Sequence, residues 1–205
     1  MAGKNPFVPW TAKLLAVWTI IVACPAWAAT PPSDLIDALR KGGYVLLMRH
    51  ASSPAAAPEK GMSDRDNVAG ERQLDQKGRA TAQAMGQAFR TLHIPVGQVF
   101  SSPTYRARET VALAGFGSPI LTPQLGDQGQ SMSRIKGEGS TAWLKNMVAE
   151  MPPAGRNTIL VTHMPNIAAA FPDQASDLQD GETLVFHPDG KGGVQIIAKV
   201  RIEDW

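Results

Sequence analysis

The sequence contains 205 residues, with 20 basic and 18 acidic side chains, a formal net charge of +2 and a single cysteine. Two of the lysines lie within the first 13 residues, so the remaining chain carries equal numbers of both charges. This balance excludes a nucleic-acid binder that works through a broad basic surface. A single cysteine excludes an intrachain disulfide, and a chain of this length can bury a sizeable core in one domain without one.

The first 28 residues predict a cleaved signal peptide. A basic leader precedes an apolar stretch at 14–23, and Ala26-Trp27-Ala28 places small residues where a signal peptidase reads the chain. We therefore expect a mature chain of one domain, residues 29–205, in the periplasm. Two alternatives stay open. One is an uncleaved anchor, for which the apolar stretch is short, and the other is a lipoprotein attached through Cys24.

Helical and extended patterns alternate along the rest of the chain. Ser33 is a suitable N-cap for a first helix that Gly42 ends, and the apolar run Tyr44–Leu47 predicts a buried strand. The patterns that follow predict a helix over 78–92, a short strand at 98–100, a helix over 143–151, a strand at 157–162, and a hairpin of 183–186 with 194–200. This alternation predicts an α/β fold, a three-layer α/β/α sandwich with a mostly parallel central sheet.

Three of the predicted strands lead into residues that can bind an anion or take part in catalysis. Arg49 and His50 follow the first strand, Arg106 lies at the start of the helix after the second, and His163 follows a later strand. Because the C-terminal ends of strands line the ligand crevice of open α/β sheets, we expect these four side chains to converge. Free N–H groups at a helix start, with an arginine in the first turn, suit a small anion.

The motifs around these residues are Arg49-His50-Ala51, Ser102-Pro103-x-x-Arg106-Ala107-x-x-Thr110 and Val161-Thr162-His163. In this order and at this spacing they resemble the histidine phosphatase superfamily, over about residues 44–185. The resemblance implies the phosphoglycerate-mutase-like fold and a metal-independent phosphatase that uses no cofactor.

The chemistry of these side chains fits phosphoryl transfer. An imidazole that is neutral at one nitrogen can attack phosphorus, so His50 is the predicted nucleophile and would form a phosphohistidine. Arg49 and Arg106 would bind phosphoryl oxygens bidentately, and His163 would bind phosphate and stabilise the charge of the transition state. The two arginines would repel a cation, so we predict no metal site.

The proton donor to the leaving oxygen is the least defined part of the predicted site. Leu125-Gly126-Asp127 lies near the position of the family's Leu-x-Glu, so the resemblance implies that Asp127 is the general acid. An ordinary turn aspartate is the alternative interpretation, and Glu138 is the second candidate. Met164 follows the second histidine where phytase-like enzymes have an aspartate, which excludes their arrangement.

Three other polar residues are predicted to lie outside the chemistry. Arg108 stands two residues beyond Arg106 and is expected to point elsewhere on the helix. His93 at a helix end and His187 beside a turn are expected to be structural or to face solvent.

Together these features predict an exported phosphomonoesterase that acts on a phosphorylated small molecule or envelope sugar. In character it resembles the lipopolysaccharide core heptose-phosphate phosphatases. A small, acid-free phosphohistidine-protein phosphatase is one alternative, and a non-catalytic phosphate- or glycan-binding envelope protein is another. We expect no nucleic-acid partner and no stable membrane insertion after signal cleavage. The substrate determinants are predicted to lie in the long loops at 52–70 and 126–139.

Overall fold

The computed structural model describes residues 31–54, 70–127 and 139–205. The predicted signal peptide, Glu138 and most of the two long predicted loops lie outside the described residues.

Six strands form one sheet, and six helices accompany it within the described ranges. The strands are β1 (Val45–Arg49), β2 (Val96–Ser101), β3 (Ile120–Leu121), β4 (Asn157–Thr162), β5 (Thr183–Pro188) and β6 (Val194–Val200). The helices are α1 (Ser33–Lys41), α2 (Gln76–Thr91), α3 (Tyr105–Ala114), α4 (Ser140–Ala149), α5 (Met164–Ala170) and α6 (Pro172–Ala175). Each of these helices is too short or too polar to cross a membrane.

The strand order is β3-β2-β4-β1-β5-β6. β1, β2, β3 and β4 pair in parallel, whereas β5 runs antiparallel to both β1 and β6. The mostly parallel sheet and the closing hairpin are therefore confirmed. In the register, Arg49 lies beside Thr162, and Ser101 lies beside Val161, so the ends of β1, β4 and β2 meet at one edge of the sheet.

Side chains on the two faces of the sheet enter two separate apolar cores. Leu46 and Met48 of β1 pack with residues of α1, α2 and α3, while Val45 and Leu47 pack with residues of α4, α5 and α6. All four side chains are buried. Because alternate residues of a strand point to opposite faces, this run of apolar residues is what a strand covered on both sides requires. The predicted three-layer sandwich is confirmed.

The starts of two helices differ from the predictions. Ser33 was expected to cap α1 but is its first helical residue, because the carbonyl of Pro32 already accepts the N–H groups of the first turn. The second helix begins at Gln76, two residues before the predicted start. Asp75 caps it, and its carboxylate accepts the N–H of Gly78 at 2.7 Å.

Candidate active site

The ends of β1 and β4 and the start of α3 surround one small cavity. The N–H of His50 donates to the carbonyl of Thr162 at 3.0 Å, which joins the two strand ends directly before His163. The cavity has a volume of about 270 Å³ and is lined by Arg49, His50, Arg72, Arg106, His163, Met164 and Pro165. Arg49, His50, Arg106 and His163, which the sequence predicts to converge, all line this cavity.

The hydrogen bonds of His50 define which of its nitrogens is free to react. Its Nδ1 lies 2.8 Å from the carbonyl oxygen of Ala51, which can only accept, so Nδ1 carries the proton. Nε2 is then an unprotonated acceptor. Arg106 donates to it through Nε at 3.1 Å, and Nη2 of Arg72 lies 3.5 Å away. The arrangement leaves a lone pair on Nε2 in the most cationic part of the cavity.

Burial keeps His50 neutral. Loss of hydration, followed by the charge of Arg106, lowers the pKa of His50 from 6.5 to about 3. The hydrogen bond to the carbonyl of Ala51 acts in the opposite direction but is the smaller effect. At neutral pH the imidazole is therefore in the form that can attack an electrophile.

His163 is the second neutral histidine of the site. Its Nδ1 accepts from Nη2 of Arg106 at 3.1 Å, so the proton is on Nε2, which donates to the hydroxyl of Ser102 at 2.8 Å. Burial, and then Arg106, holds the pKa of His163 well below its usual value. Because the hydroxyl of Ser102 can both donate and accept, the ring can also carry its proton on Nδ1 once an anion occupies Arg106.

Arg106 is the centre of the hydrogen-bond network. It is buried in the first turn of α3, where it reaches both histidines, and its Nη2 also lies 3.0 Å from Oδ2 of Asp127. The side chain of Asp127 is 1% exposed and lies beside Arg106, outside the cavity lining. The structure therefore brings Asp127 into the site through Arg106, and its role as general acid stays a prediction.

The segment before β5 fixes Arg49. Nη2 of Arg49 forms an ion pair with Asp180 at 2.6 Å, and Nη1 donates to the carbonyl of Leu178 at 3.0 Å. The N–H of Gly181 donates to the carbonyl of His50 at 2.9 Å, which connects the same segment to the backbone of His50. Burial raises the pKa of Asp180.

Two buried donors of the cavity have no hydrogen-bond partner among the described residues. They are the Nε atoms of Arg49 and Arg72. Buried N–H groups of charged side chains are costly when unpaired, so they mark positions where an acceptor binds. Phosphoryl oxygens are suitable acceptors for guanidinium groups.

Arg72, Glu71 and Asp180 are the polar residues of this region that the sequence interpretation missed. Arg72 follows the long loop predicted at 52–70, and that adjacency was its only sequence signal. Arg108 lies against the ring of Tyr105, 5.7 Å from its centroid, and does not line the cavity.

His187 and His93 have structural surroundings. His187 stacks on Tyr44 with ring centroids 4.9 Å apart, and His93 adopts a positive φ of 56° after α2. Neither lines the cavity.

The fold and the cavity define an α/β protein with two buried, neutral histidines in a cavity lined by three arginines. The profile of the histidine phosphatase superfamily (branch 1) matches residues 45–129, which include Arg49, His50, Arg72 and Arg106. This match supports the resemblance to the histidine phosphatase superfamily that the sequence motifs indicate. No curated protein sequence matches it significantly.

Solved structures share the fold at low sequence identity. The protein histidine phosphatase SixA in complex with tungstate is 17% identical, with a TM-score of 0.56, over 78% of this chain and 97% of that chain. The product of an open reading frame of Mycobacterium tuberculosis is 15% identical, with a TM-score of 0.54, over 78% of this chain and 98% of that one. A phosphoserine phosphatase mutant from Entamoeba histolytica, in complex with phosphoserine, is 13% identical, with a TM-score of 0.51, over 78% and 98%.

Proposed function

We propose that this protein hydrolyses phosphoric monoesters through a phosphohistidine on Nε2 of His50, without a metal ion. One observation carries the proposal. The carbonyl of Ala51 holds the proton on Nδ1 of His50, so Nε2 keeps its lone pair. Nε2 lies 3.1 Å from Nε of Arg106 in the same cavity. A nucleophile and a cationic oxygen-binding group at this separation can engage the phosphorus and the oxygens of one phosphoryl group.

The reaction has two steps. In the first, Nε2 of His50 forms a bond to phosphorus while the bond from phosphorus to the ester oxygen breaks, and the leaving oxygen takes a proton from the general acid, for which Asp127 is the first candidate and Glu138 the second. In the second, water attacks phosphorus and returns a proton to the conjugate base of that acid, while the phosphorus–nitrogen bond breaks, which releases phosphate and restores the neutral imidazole. The guanidinium groups of Arg49, Arg72 and Arg106 bind the equatorial oxygens, whose charge is the main barrier to the reaction.

The volume of the cavity supports a small phosphoryl group as the part of the substrate that enters it. A volume of about 270 Å³, with three arginines in its wall, fits a phosphate headgroup better than a large apolar ligand. We propose that the rest of the substrate, a phosphorylated small molecule or envelope sugar such as a heptose phosphate, remains outside this cavity.

We also propose export to the periplasm, from the leader pattern of residues 1–28. Intact-mass measurement of the exported protein should give a chain that begins at Ala29. Retention of the first 28 residues, or a lipid on Cys24, would contradict this proposal.

A second candidate function is hydrolysis of phosphohistidine in a protein, as the name of the SixA structure states for that protein. The observation that favours it is the position of Asp127, which is buried in an ion pair with Arg106. A phosphorus–nitrogen bond to imidazole breaks without the strong proton donor that an alkoxide requires. An acid that only positions Arg106 would therefore be sufficient for such a substrate.

Substrate turnover by the purified protein tests these candidates. The panel consists of an aryl phosphate, alkyl and sugar phosphates, a phosphoserine peptide and a phosphohistidine peptide. We expect turnover of the aryl phosphate by the wild type, none by His50→Asn, and unchanged turnover by His187→Asn, which alters a histidine outside the cavity. Turnover of the phosphohistidine peptide alone would select the second candidate. Oxyanion binding without turnover of any substrate would indicate a binding protein.

A further inference from the structure

The three arginines of the cavity are held in different ways. Arg49 pairs directly with Asp180, and Arg106 pairs directly with Asp127. Arg72 forms no ion pair with any residue of the described ranges, although its Nη2 lies 3.5 Å from Nε2 of His50. Among the described residues, contacts of the backbone on either side of Arg72 are therefore what holds its position beside His50.

Glu71 supplies an anchor directly before Arg72. Its side chain is 1% exposed, and its Oε2 accepts the backbone N–H of Tyr105, the first residue of α3. That N–H is one of the donors at the helix start that lack a partner within the helix, and a carboxylate there is stabilised by the helix dipole.

A second anchor lies on the other side of Arg72. The N–H of Leu74 donates to Oε2 of Glu109 at 3.3 Å, and Glu109 in turn pairs with Arg79. Both anchors attach the segment around Arg72 to α3, the helix that carries Arg106. The two arginines therefore share one support.

The carboxylate of Glu71 is only partly satisfied by hydrogen bonds, which is unusual for a residue with a purely structural role. Its Oε1 accepts no hydrogen bond from the described residues, and the nearest cationic group, Nη2 of Arg108, is 4.0 Å away. Burying a carboxylate in this way costs free energy, which appears here as a raised pKa of Glu71 caused by desolvation. An apolar side chain would fill the space without this cost but could not bind the helix start.

We propose that Glu71 is a positioning residue that places Arg72 beside the nucleophile by anchoring its backbone to the start of α3. The role rests on the proposed function, since Arg72 is taken to bind the phosphoryl group. Glu71 acts on that group only through Arg72. Its substitution should therefore have no further effect once the guanidinium of Arg72 is absent.

Affinity for tungstate, measured by calorimetry on the purified protein, tests this coupling without requiring turnover. Arg72→Ala should raise the Kd by roughly 10- to 100-fold, as expected for loss of a charge-assisted contact. Glu71→Leu should raise it by roughly tenfold or more on the same grounds. In the Arg72→Ala background, Glu71→Leu should change the Kd by less than about twofold. Glu71→Gln keeps an oxygen that can accept the Tyr105 N–H, so its Kd should stay within about threefold of the wild type.

The matched control is Asp189→Ala, which removes another carboxylate that accepts backbone N–H groups, in the turn between β5 and β6. It should lower the melting temperature and leave the tungstate Kd unchanged. If Glu71→Leu does not fold, Glu71→Asp replaces it in this double-mutant cycle with Arg72→Ala. A side chain shorter by one methylene should pull Arg72 out of place.

The proposal would be overturned if the Glu71 substitution raised the tungstate Kd by the same factor with and without the guanidinium of Arg72, or if it did not change the Kd at all. Failure of the wild type to bind tungstate would overturn it together with the proposed function. Tungstate binding with the expected coupling but no turnover would contradict the proposed function alone.

Discussion

One arginine contacts both histidines in the cavity. Arg106 donates to Nε2 of His50 and to Nδ1 of His163, each at 3.1 Å. Since a guanidinium only donates, it requires a lone pair on each ring. Burial lowers the pKa of both histidines, and the charge of Arg106 lowers it further. The same group can bind a phosphoryl oxygen when the substrate enters. In the proposed reaction, Arg106 would keep Nε2 of His50 unprotonated and stabilise the charge that develops when this atom attacks phosphorus.

Arg106→Ala should reduce kcat/KM for an aryl phosphate by roughly two to three decades, the typical effect of losing a donor to a developing oxyanion. Arg106→Lys should recover less than about a tenth of the lost activity, because an ammonium cannot reproduce the planar fork that contacts two rings and a carboxylate. Steady-state kinetics on folded variants, with circular dichroism as control, measures both effects. Full recovery by lysine would show that only the charge matters.

Asp127→Asn separates the two roles of that carboxylate. If Asp127 donates the proton, alkyl phosphate turnover should fall by about 10²–10⁴-fold, because an alkoxide is a poor leaving group without a proton. Aryl phosphate turnover should fall by only about tenfold, from loss of the ion pair with Arg106. Equal losses on both substrates would leave Asp127 only the role of holding Arg106. Glu138 would then be the next candidate for the acid.

The residues that follow strands could be predicted from the sequence, and those held by tertiary contacts could not. Arg49, His50 and His163 interrupt long apolar runs, which marks strand ends without knowledge of the fold. Arg72 lies in no regular element, and its approach to His50 depends on contacts between distant segments. Asp180 likewise reaches Arg49 only through the path of the chain before β5.

At the scale of elements, α2 packs closely on its neighbours through two glycines. A Cβ added at Gly86 would lie 1.9 Å from the carbonyl oxygen of Ala114 in α3, and one added at Gly78 would lie 2.1 Å from the carbonyl oxygen of Ser52. Ser52 follows the nucleophile by two residues. The first contact sets the distance between two helices, and the second sets the position of the chain beside the site.

Gly86→Ala and Gly78→Ala should both destabilise the protein, by about 1–3 kcal/mol for overpacking, less the roughly 1 kcal/mol that alanine gains in a helix. Only Gly78→Ala should also lower kcat/KM, because it displaces the backbone that follows His50. Urea unfolding and aryl phosphate kinetics on the two variants give the comparison. Equal activity in both would mean that displacement of Ser52 does not reach the nucleophile.

Helices and strands both differ from their predicted limits by up to three residues, and β3 was not predicted. Two residues near the start of α2 could serve as its beginning, and the cap by Asp75 selects the earlier one. The helix predicted over 143–151 begins at Ser140 and ends at Ala149, before the two prolines. β4 has its predicted limits, and it is buried along its whole length, as an uninterrupted apolar run requires, whereas the partly exposed β2 begins two residues earlier than predicted.

At the scale of the whole molecule, the buried site makes stability depend on pH. His163 is fully enclosed and neutral in the folded chain, whereas in the unfolded chain it binds a proton below about pH 6.5. The contribution of neutral His163 to the free energy of unfolding is therefore complete above pH 6.5 and is lost as the pH falls below that value. The raised pKa values of Glu71 and Asp180 act in the opposite direction, so a difference between variants is needed.

Between pH 7 and pH 5.5 the free energy of unfolding should fall by about 1 kcal/mol more in the wild type than in His163→Gln. The glutamine cannot take up a proton in either state, so it removes this contribution while the carboxyl groups remain. Urea unfolding at the two pH values measures the difference. An identical pH dependence in both proteins would show that folding does not lower the pKa of His163.

The most direct test of the account is to identify the phosphorylated atom during turnover. The purified protein is mixed with a ³²P-labelled aryl phosphate, quenched in alkali within milliseconds, and analysed by peptide mass spectrometry and ³¹P NMR. We predict an acid-labile phosphate on Nε2 of His50, absent from His50→Asn and retained in His187→Asn. Turnover with no phosphohistidine, or phosphate on Nδ1 or on another residue, would contradict the assignment of His50 as the nucleophile.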